Sequence, residues 1–424
     1  MDPLATPAPP SDTPRSGFEW VMTVFVLFVF TGAIVGVLDG HHAETGRGLD
    51  PGLLLKLMLG IAYAFSLYVT VRDRAFIPSA KRTDVWICLL VLLAIISTVW
   101  SDLPSRTFAR SIQLVLTTWF AAYMARSFSQ EEQIVLLEQA LLAVMVCSLV
   151  AGSLFPDYGI MHGGEFEGAW RGAFIHKNYL GRICFLGLIV FGTGWRVLPQ
   201  RRVLAGAGFV ASLLLLALST SRTAMVSFFL VVLLLPLFRS MRQRGMGLAI
   251  YLTAALLAVS ATCWWVYAHL DDVMQLLGRN LTLSGRTALW FAVITFIGRR
   301  PLLGYGYSAF WQGMAGNSGY ISMALHWEVP HAHNGLLDLA LDAGLLGVGL
   351  FLISFFGVLR RAIRSLRAAP NAGIAMWPLL VLTFIFLSNT AESSLIRFAN
   401  TFWVLYVMIA LTGEREAPVA VANA

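Results

Sequence analysis

Apolar runs of about 16 to 22 residues recur along the chain, each bounded by short polar punctuation. They fall at 19–38, 52–71, 85–100, 108–125, 134–155, 174–195, 203–221, 223–238, 247–268, 335–358, 374–388 and 396–412. A run of this size crosses roughly 30 Å of hydrocarbon as a helix. Continuous apolar runs are also helical in kind, since barrel strands alternate from one residue to the next. The pattern predicts an all-α polytopic integral membrane protein with about 12 transmembrane helices. Two spans are marked by polar breaks: Arg110 and Gln113 interrupt the fourth, and only Ser219–Arg222 divides the seventh from the eighth.

The longest gap in the pattern, about 269–334, is expected to form one large loop carrying short helices. Within it, Arg286–Ile297 reads as an amphipathic helix with Leu289, Trp290, Ile294 and Ile297 on one apolar face. The expected layout is therefore a polar tail at 1–17, nine spans within 18–268, the loop at 269–334, three spans within 335–412 and a tail at 413–424. Residues 1–17 are rich in Pro, Ser, Thr and Asp. They lack a basic start and a cleavage site, so the first run is expected to stay as an anchor. No internal repeat or inverted half is evident.

Composition narrows the class further. The 424 residues are 58% hydrophobic and 12% charged, which excludes an ordinary soluble domain. The net charge of +7 does not indicate nucleic-acid binding, because the basic residues gather in alternate short loops. Arg72, Arg74, Lys81 and Arg82 form one such group; Arg126, then Arg196, Arg201 and Arg202, then Arg239, Arg242 and Arg244 follow. Arg360, Arg361, Arg364 and Arg367 form the last. The positive-inside rule makes these loops cytoplasmic, along with both termini, and puts 269–334 on the outer face. Cys88, Cys147, Cys184 and Cys263 lie in or at the start of apolar runs without ligand spacing, and read as reduced packing residues.

Against this background, His326, Glu328, His331 and His333 within ten residues need an explanation. Pro330 and the apolar run that follows predict that His331, His333 and Asn334 occupy the first helical turn. There the helix dipole favours a neutral imidazole, and free N–H groups favour an anion. Interfacial polar residues at a helix mouth are the alternative. Three arginines fall on the same expected side: Arg222 in Ser219-Thr-Ser-Arg-Thr223, Arg286 in Gly285-Arg-Thr-Ala-Leu-Trp290, and Arg171. Snorkelling or solvated loop charges would also account for them. A base facing several guanidinium groups suits an anionic leaving group, with pyrophosphate fitting best. His176-Lys-Asn178 forms a second polar constellation, and Asn178 and Arg182 share a helix face. Pro301-Leu-Leu-Gly-Tyr-Gly-Tyr-Ser-Ala-Phe-Trp311 joins glycines to aromatics, suited to stacking on sugars or resting in the headgroup belt.

Taken in order, His176-Lys-Asn, Ser221-Arg-Thr, Gly285-Arg-Thr-Ala-Leu-Trp, Pro301-Leu-Leu-Gly-Tyr-Gly and His333-Asn-Gly-Leu-Leu-Asp closely resemble the bacterial O-antigen ligase and polymerase superfamily. The first element is most similar to the exopolysaccharide polymerases of the succinoglycan type. The resemblance runs from about 165 to 350. It implies a metal-independent, cofactor-free inverting glycosyltransferase of the bacterial inner membrane, with a periplasmic active site. It also implies an undecaprenyl-diphosphate-linked glycan donor, a glycan or lipid A-core acceptor, and a chain-length regulator as a further partner. On the same ground His333, Arg222 and Arg286 are the catalytic residues. His331, Asn334, Arg171, His176, Lys177 and Asn178 are expected in substrate binding. Two rival readings use the same residues: a metal site at His326, Glu328, His331 and His333, or a non-catalytic flippase or exporter of lipid-linked oligosaccharide.

Overall fold

A computed structural model describes residues 16–33, 51–72, 82–242, 286–369 and 372–412. The expected span at 247–268, both tails and the first part of the 269–334 loop lie outside the described residues. The others are helical: α1 (Gly17–Phe30), α2 (Pro51–Arg72), α3 (Arg82–Ile96), α4 (Pro104–Ser127), α5 (Gln130–Leu154), α6 (Lys177–Val197), α7 (Arg202–Leu218) and α8 (Arg222–Ser240). They are followed by α9 (Arg286–Arg299), α10 (Gly316–Leu325), α11 (Gly335–Ala368), α12 (Trp377–Ala391) and α13 (Thr401–Thr412). Among the described residues, seven helices are long and apolar enough to cross a membrane, and three shorter apolar ones accompany them. The expected fourth span, α4, is in neither group; Arg106, Arg110, Gln113 and Arg126 lower its apolar character. Large side chains such as Val203 (89% exposed) and Phe229 (67%) face outward, as a lipid solvent permits. Of the described cysteines, Cys184 is buried, Cys147 partly so and Cys88 exposed.

The chain divides into two compact units. The first comprises Met1–Ile77, Leu116–Arg222 and Ala399–Thr412. In it α6 and α7 pack closely, because a Cβ on Gly208 would run into the ring of Phe191. Glu19 of α1 pairs with Arg72 at the end of α2, which sets these helices antiparallel. Glu138, fully buried on α5, pairs with Arg201 at 2.8 Å. A buried carboxylate left alone would cost several kcal/mol, so this pair fixes α5 against the α6–α7 turn.

The second unit comprises Pro78–Val115, Thr223–Phe398 and Gly413–Ala424. Its central feature is a break in α11 at Gly344, with φ +65° and ψ −172°. The segment Pro301–Gly306 runs across that break. Tyr305 N donates to Leu341 O (2.7 Å), Gly306 N to Asp342 O (3.1 Å), and Leu345 N and Leu346 N donate to Pro301 O and Leu302 O (2.7 and 3.2 Å). Backbone groups freed by the kink are thus re-paired, as an apolar surrounding demands. This corrects the reading of the segment as an aromatic display. Tyr305 and Tyr307 are buried, and their hydroxyls donate to Phe296 O and Ile396 O (2.8 and 2.9 Å).

The expected helix at 286–297 is present as α9, but its apolar face is turned. Leu289, Val293 and Phe296 are buried with Tyr305, Phe310 and Val329, and Trp290 and Ile297 flank them. Ile294 is 57% exposed. Apolar residues occur on more than one side of α9, so sequence spacing left the stripe open and the aromatic core selected it.

Candidate functional site

The histidine segment is positioned from three sides within the second unit. Asn334 caps α11, its amide oxygen accepting from Leu336 N and Leu337 N (3.0 and 3.2 Å). The histidines therefore precede the first turn rather than occupying it, and Asn334 acts as a cap. Asp338, buried one turn into α11, accepts at Oδ1 from Ala332 N (3.1 Å) and Trp311 Nε1 (2.7 Å). Its Oδ2 lies 3.3 Å from Arg397 Nη2. Trp290 of α9 donates its indole N–H to Ala332 O (2.9 Å). Ala332, the residue between the two histidines, is thus held through both its N–H and its C=O. The clamp maintains His333 at φ +51°, a left-handed backbone that costs of order 1 kcal/mol in a non-glycine residue.

Within this frame His331, His333 and Glu392 come together. Glu392 Oε2 lies 3.5 Å from His331 Nε2 and 3.6 Å from His333 Nδ1, and the imidazole centroids are 4.2 Å apart. His331 Nδ1 accepts from His333 N (3.2 Å), so its neutral tautomer carries the proton on Nε2, toward the carboxylate. Burial, assisted by the neighbouring His333, pushes the His331 pKa down from 6.5 to about 4, against the opposing pull of Glu392 and Asp338. The His333 side chain is the more open of the two, at 18% against 10%. With Nδ1 facing Glu392, its Nε2 is the nitrogen left to accept a proton from elsewhere.

Glu392 escaped the sequence reading, although it is the lone acid in the tip between the last two apolar runs. It sits at the C-terminal cap of α12, where the helix dipole disfavours a carboxylate by roughly 0.3–1 kcal/mol. The imidazoles supply the compensating interaction. These three groups also offer one ligand atom each within 4.8 Å, a spacing compatible with a divalent ion. His326 and Glu328 do not belong to that group, which corrects the ligand set of the metal reading. Arg286 opens α9, one turn before Trp290, so the Trp290–Ala332 bond ties its helix to the histidine segment.

A second constellation forms within the first unit. His176 caps α6, its Nδ1 accepting from Asn178 N (3.2 Å). Lys177 Nζ donates to Thr220 O and Oγ1 (3.3 and 3.0 Å), and Ser221 Oγ donates to Asn178 Oδ1 (3.3 Å). The His-Lys-Asn motif therefore grips the turn that presents Arg222, which is exposed at the first position of α8. A cation at that end opposes the helix dipole, so turn and side chain together concentrate positive charge. Arg171 donates from Nε to Tyr158 O (2.7 Å) and from Nη2 to Asp157 O (3.3 Å), bracing its own loop.

The fold and these two constellations define a polytopic helical membrane protein that carries an imidazole–carboxylate cluster and a turn presenting a guanidinium group. Residues 207–352 match the O-antigen ligase family (Wzy_C), a stretch holding Arg222, Arg286, His331 and His333. Exopolysaccharide production protein ExoQ of Rhizobium meliloti (strain 1021) is 26% identical over 320 residues, covering 70% of this chain and 71% of that protein. Both findings support the O-antigen ligase/polymerase-like family to which the motifs point.

Proposed function

We propose that this protein is a membrane glycosyltransferase moving a glycan from undecaprenyl diphosphate to a sugar hydroxyl of an acceptor, on the periplasmic face of the inner membrane. The observation that carries this reading is the His331–His333–Glu392 cluster, in which one imidazole is buried and committed and the other is oriented with a nitrogen to spare. His333 Nε2 takes the acceptor hydroxyl proton while the oxygen attacks the anomeric carbon. The bond from that carbon to the diphosphate breaks, and its electron pair leaves with the diphosphate. Arg222 and Arg286 hold the departing anion. One displacement inverts the anomeric carbon. The similarity to ExoQ favours an exopolysaccharide chain over a lipid A core as acceptor.

The test uses purified full-length protein in detergent with an undecaprenyl-diphosphate oligosaccharide. Wild type should release undecaprenyl diphosphate and lengthen the glycan, even under strong chelation. His333→Ala and Arg222→Ala should abolish product. Glu392→Gln should lower kcat by about 10²-fold with KM little changed, the size expected for disturbing a general base. Near-normal product from His333→Ala rejects the assignment of the base. Unchanged glycan with tight donor binding identifies a flippase instead, and activity lost to chelation and restored by zinc identifies a metal centre at the same three residues.

A further inference from the structure

Two residues of the histidine segment take no part in the imidazole–carboxylate cluster: His326 and Glu328, which flank Trp327 where α10 ends. All three are exposed, but the backbone beneath them is fixed. His326 closes α10 in a left-handed conformation at φ +60°, a strained choice for a residue with a Cβ. Trp327 N donates to Ser322 O (3.2 Å) and Val329 N to Ser322 Oγ (3.1 Å), with Ser322 and Val329 both buried. Pro330 then locks one more φ before the second left-handed residue, His333. An exposed loop under this much restraint is suited to presenting a side chain rather than merely joining two helices.

The side chain presented is an indole beside His333. Trp327 is 44% exposed, and its ring centroid lies 6.2 Å from that of the His333 imidazole at an interplanar angle of 39°. That is the separation of neighbouring rings in an aromatic pair. A tryptophan of the headgroup belt needs only the right depth in the interface, and neither a pinned backbone nor an imidazole neighbour serves that role. A pyranose uses both: its C–H face rests on a flat aromatic ring while its hydroxyls reach the hydrogen-bonding groups at the edge. Glu328, the next residue, supplies an exposed carboxylate that accepts from such hydroxyls. A tryptophan held in this way also loses little conformational entropy on binding.

We propose that residues 326–328 form a saccharide-binding turn, in which Trp327 stacks on one sugar ring, Glu328 accepts from its hydroxyls and His326 holds the turn. A sugar seated there has its hydroxyls next to His333. The turn is therefore the acceptor seat of the proposed transferase; that role rests on the transferase reading, whereas saccharide binding itself does not.

The probe is the oligosaccharide freed by mild acid from the lipid-linked donor, offered to full-length protein in a maltoside detergent and followed by equilibrium dialysis. Wild type should bind it, and Trp327→Ala should bind about tenfold more weakly, the size of a well-placed aromatic contact. Trp327→Tyr, which keeps a flat ring, should stay near wild type. Trp327→Leu should resemble Trp327→Ala, and it carries the test if that variant is not monodisperse. Glu328→Ala should weaken binding several-fold, and Glu328→Gln less. In the transfer assay Trp327→Ala should raise KM for the oligosaccharide with kcat little changed. Binding that depends on Trp327 without release of undecaprenyl diphosphate would reject the transferase reading and leave the saccharide turn standing. No binding to wild type, equal affinity in wild type and Trp327→Ala, or equal affinity in Trp327→Tyr and Trp327→Leu overturns the proposal.

Discussion

His331 and His333 are two positions apart yet have different surroundings, and the difference predicts an acid limb in stability. His331 titrates at about 4 when folded and 6.5 ordinarily. As pH falls, the unfolded chain takes up the proton first. Stability from this residue is therefore complete above about pH 6.5 and is lost progressively between 6.5 and 4, by roughly 3 kcal/mol in all. Glu392, His333, Asp338 and Arg397 are the charged and titratable groups that act on the ring. His331→Gln should narrow the gap between thermal midpoints measured at pH 7.5 and pH 5. An unchanged gap would show that the ring is not held neutral. At this scale the sequence disclosed the histidines, because a dense polar cluster stands out against apolar runs. It did not disclose Glu392, whose partners lie far along the chain and whose own neighbourhood is an ordinary polar tip.

Helices were the most legible level, since length and apolarity alone specify a span. Their irregularities were not. A glycine inside an apolar run reads as a packing residue, and nothing near Gly344 announces that its partners come from 301–306. Pro301-Leu-Leu-Gly-Tyr-Gly306 was visible as a motif, but its work is backbone pairing, which side-chain chemistry does not reveal. A Cβ on Gly344 would collide with the Leu302 carbonyl in a conformation L residues avoid. Gly344→Ala should therefore cost about 3 kcal/mol or more, seen as a large drop in thermal midpoint. Gly349→Ala on the same helix meets open space and should be neutral or slightly stabilising. Equal behaviour of the two variants would contradict the break.

For the molecule as a whole, the charge pattern and the pairing of helix ends agree. Arg242 Nη2 donates to Ala369 O (2.7 Å) and Arg367 Nε to Met241 O (3.0 Å), so α8 and α11 finish together in basic residues. Glu19 and Arg72 likewise join one end of α1 to the basic end of α2. The positive-inside rule leads us to propose the cytoplasmic side for such ends. In a background without native cysteines, His162→Cys should react with a membrane-impermeant maleimide in spheroplasts, and Arg364→Cys only after lysis; both positions are exposed. The reverse pattern would invert the orientation.

The splint across α11 also bears on how the chain is made. Gly344 lies about 14 Å along the helix from Gly335, at 1.5 Å per residue. An open turn within an apolar helix would leave its amides without partners. Translation delivers Pro301–Gly306 before Leu341–Leu346, so the partner strand has emerged when the broken turn leaves the ribosome.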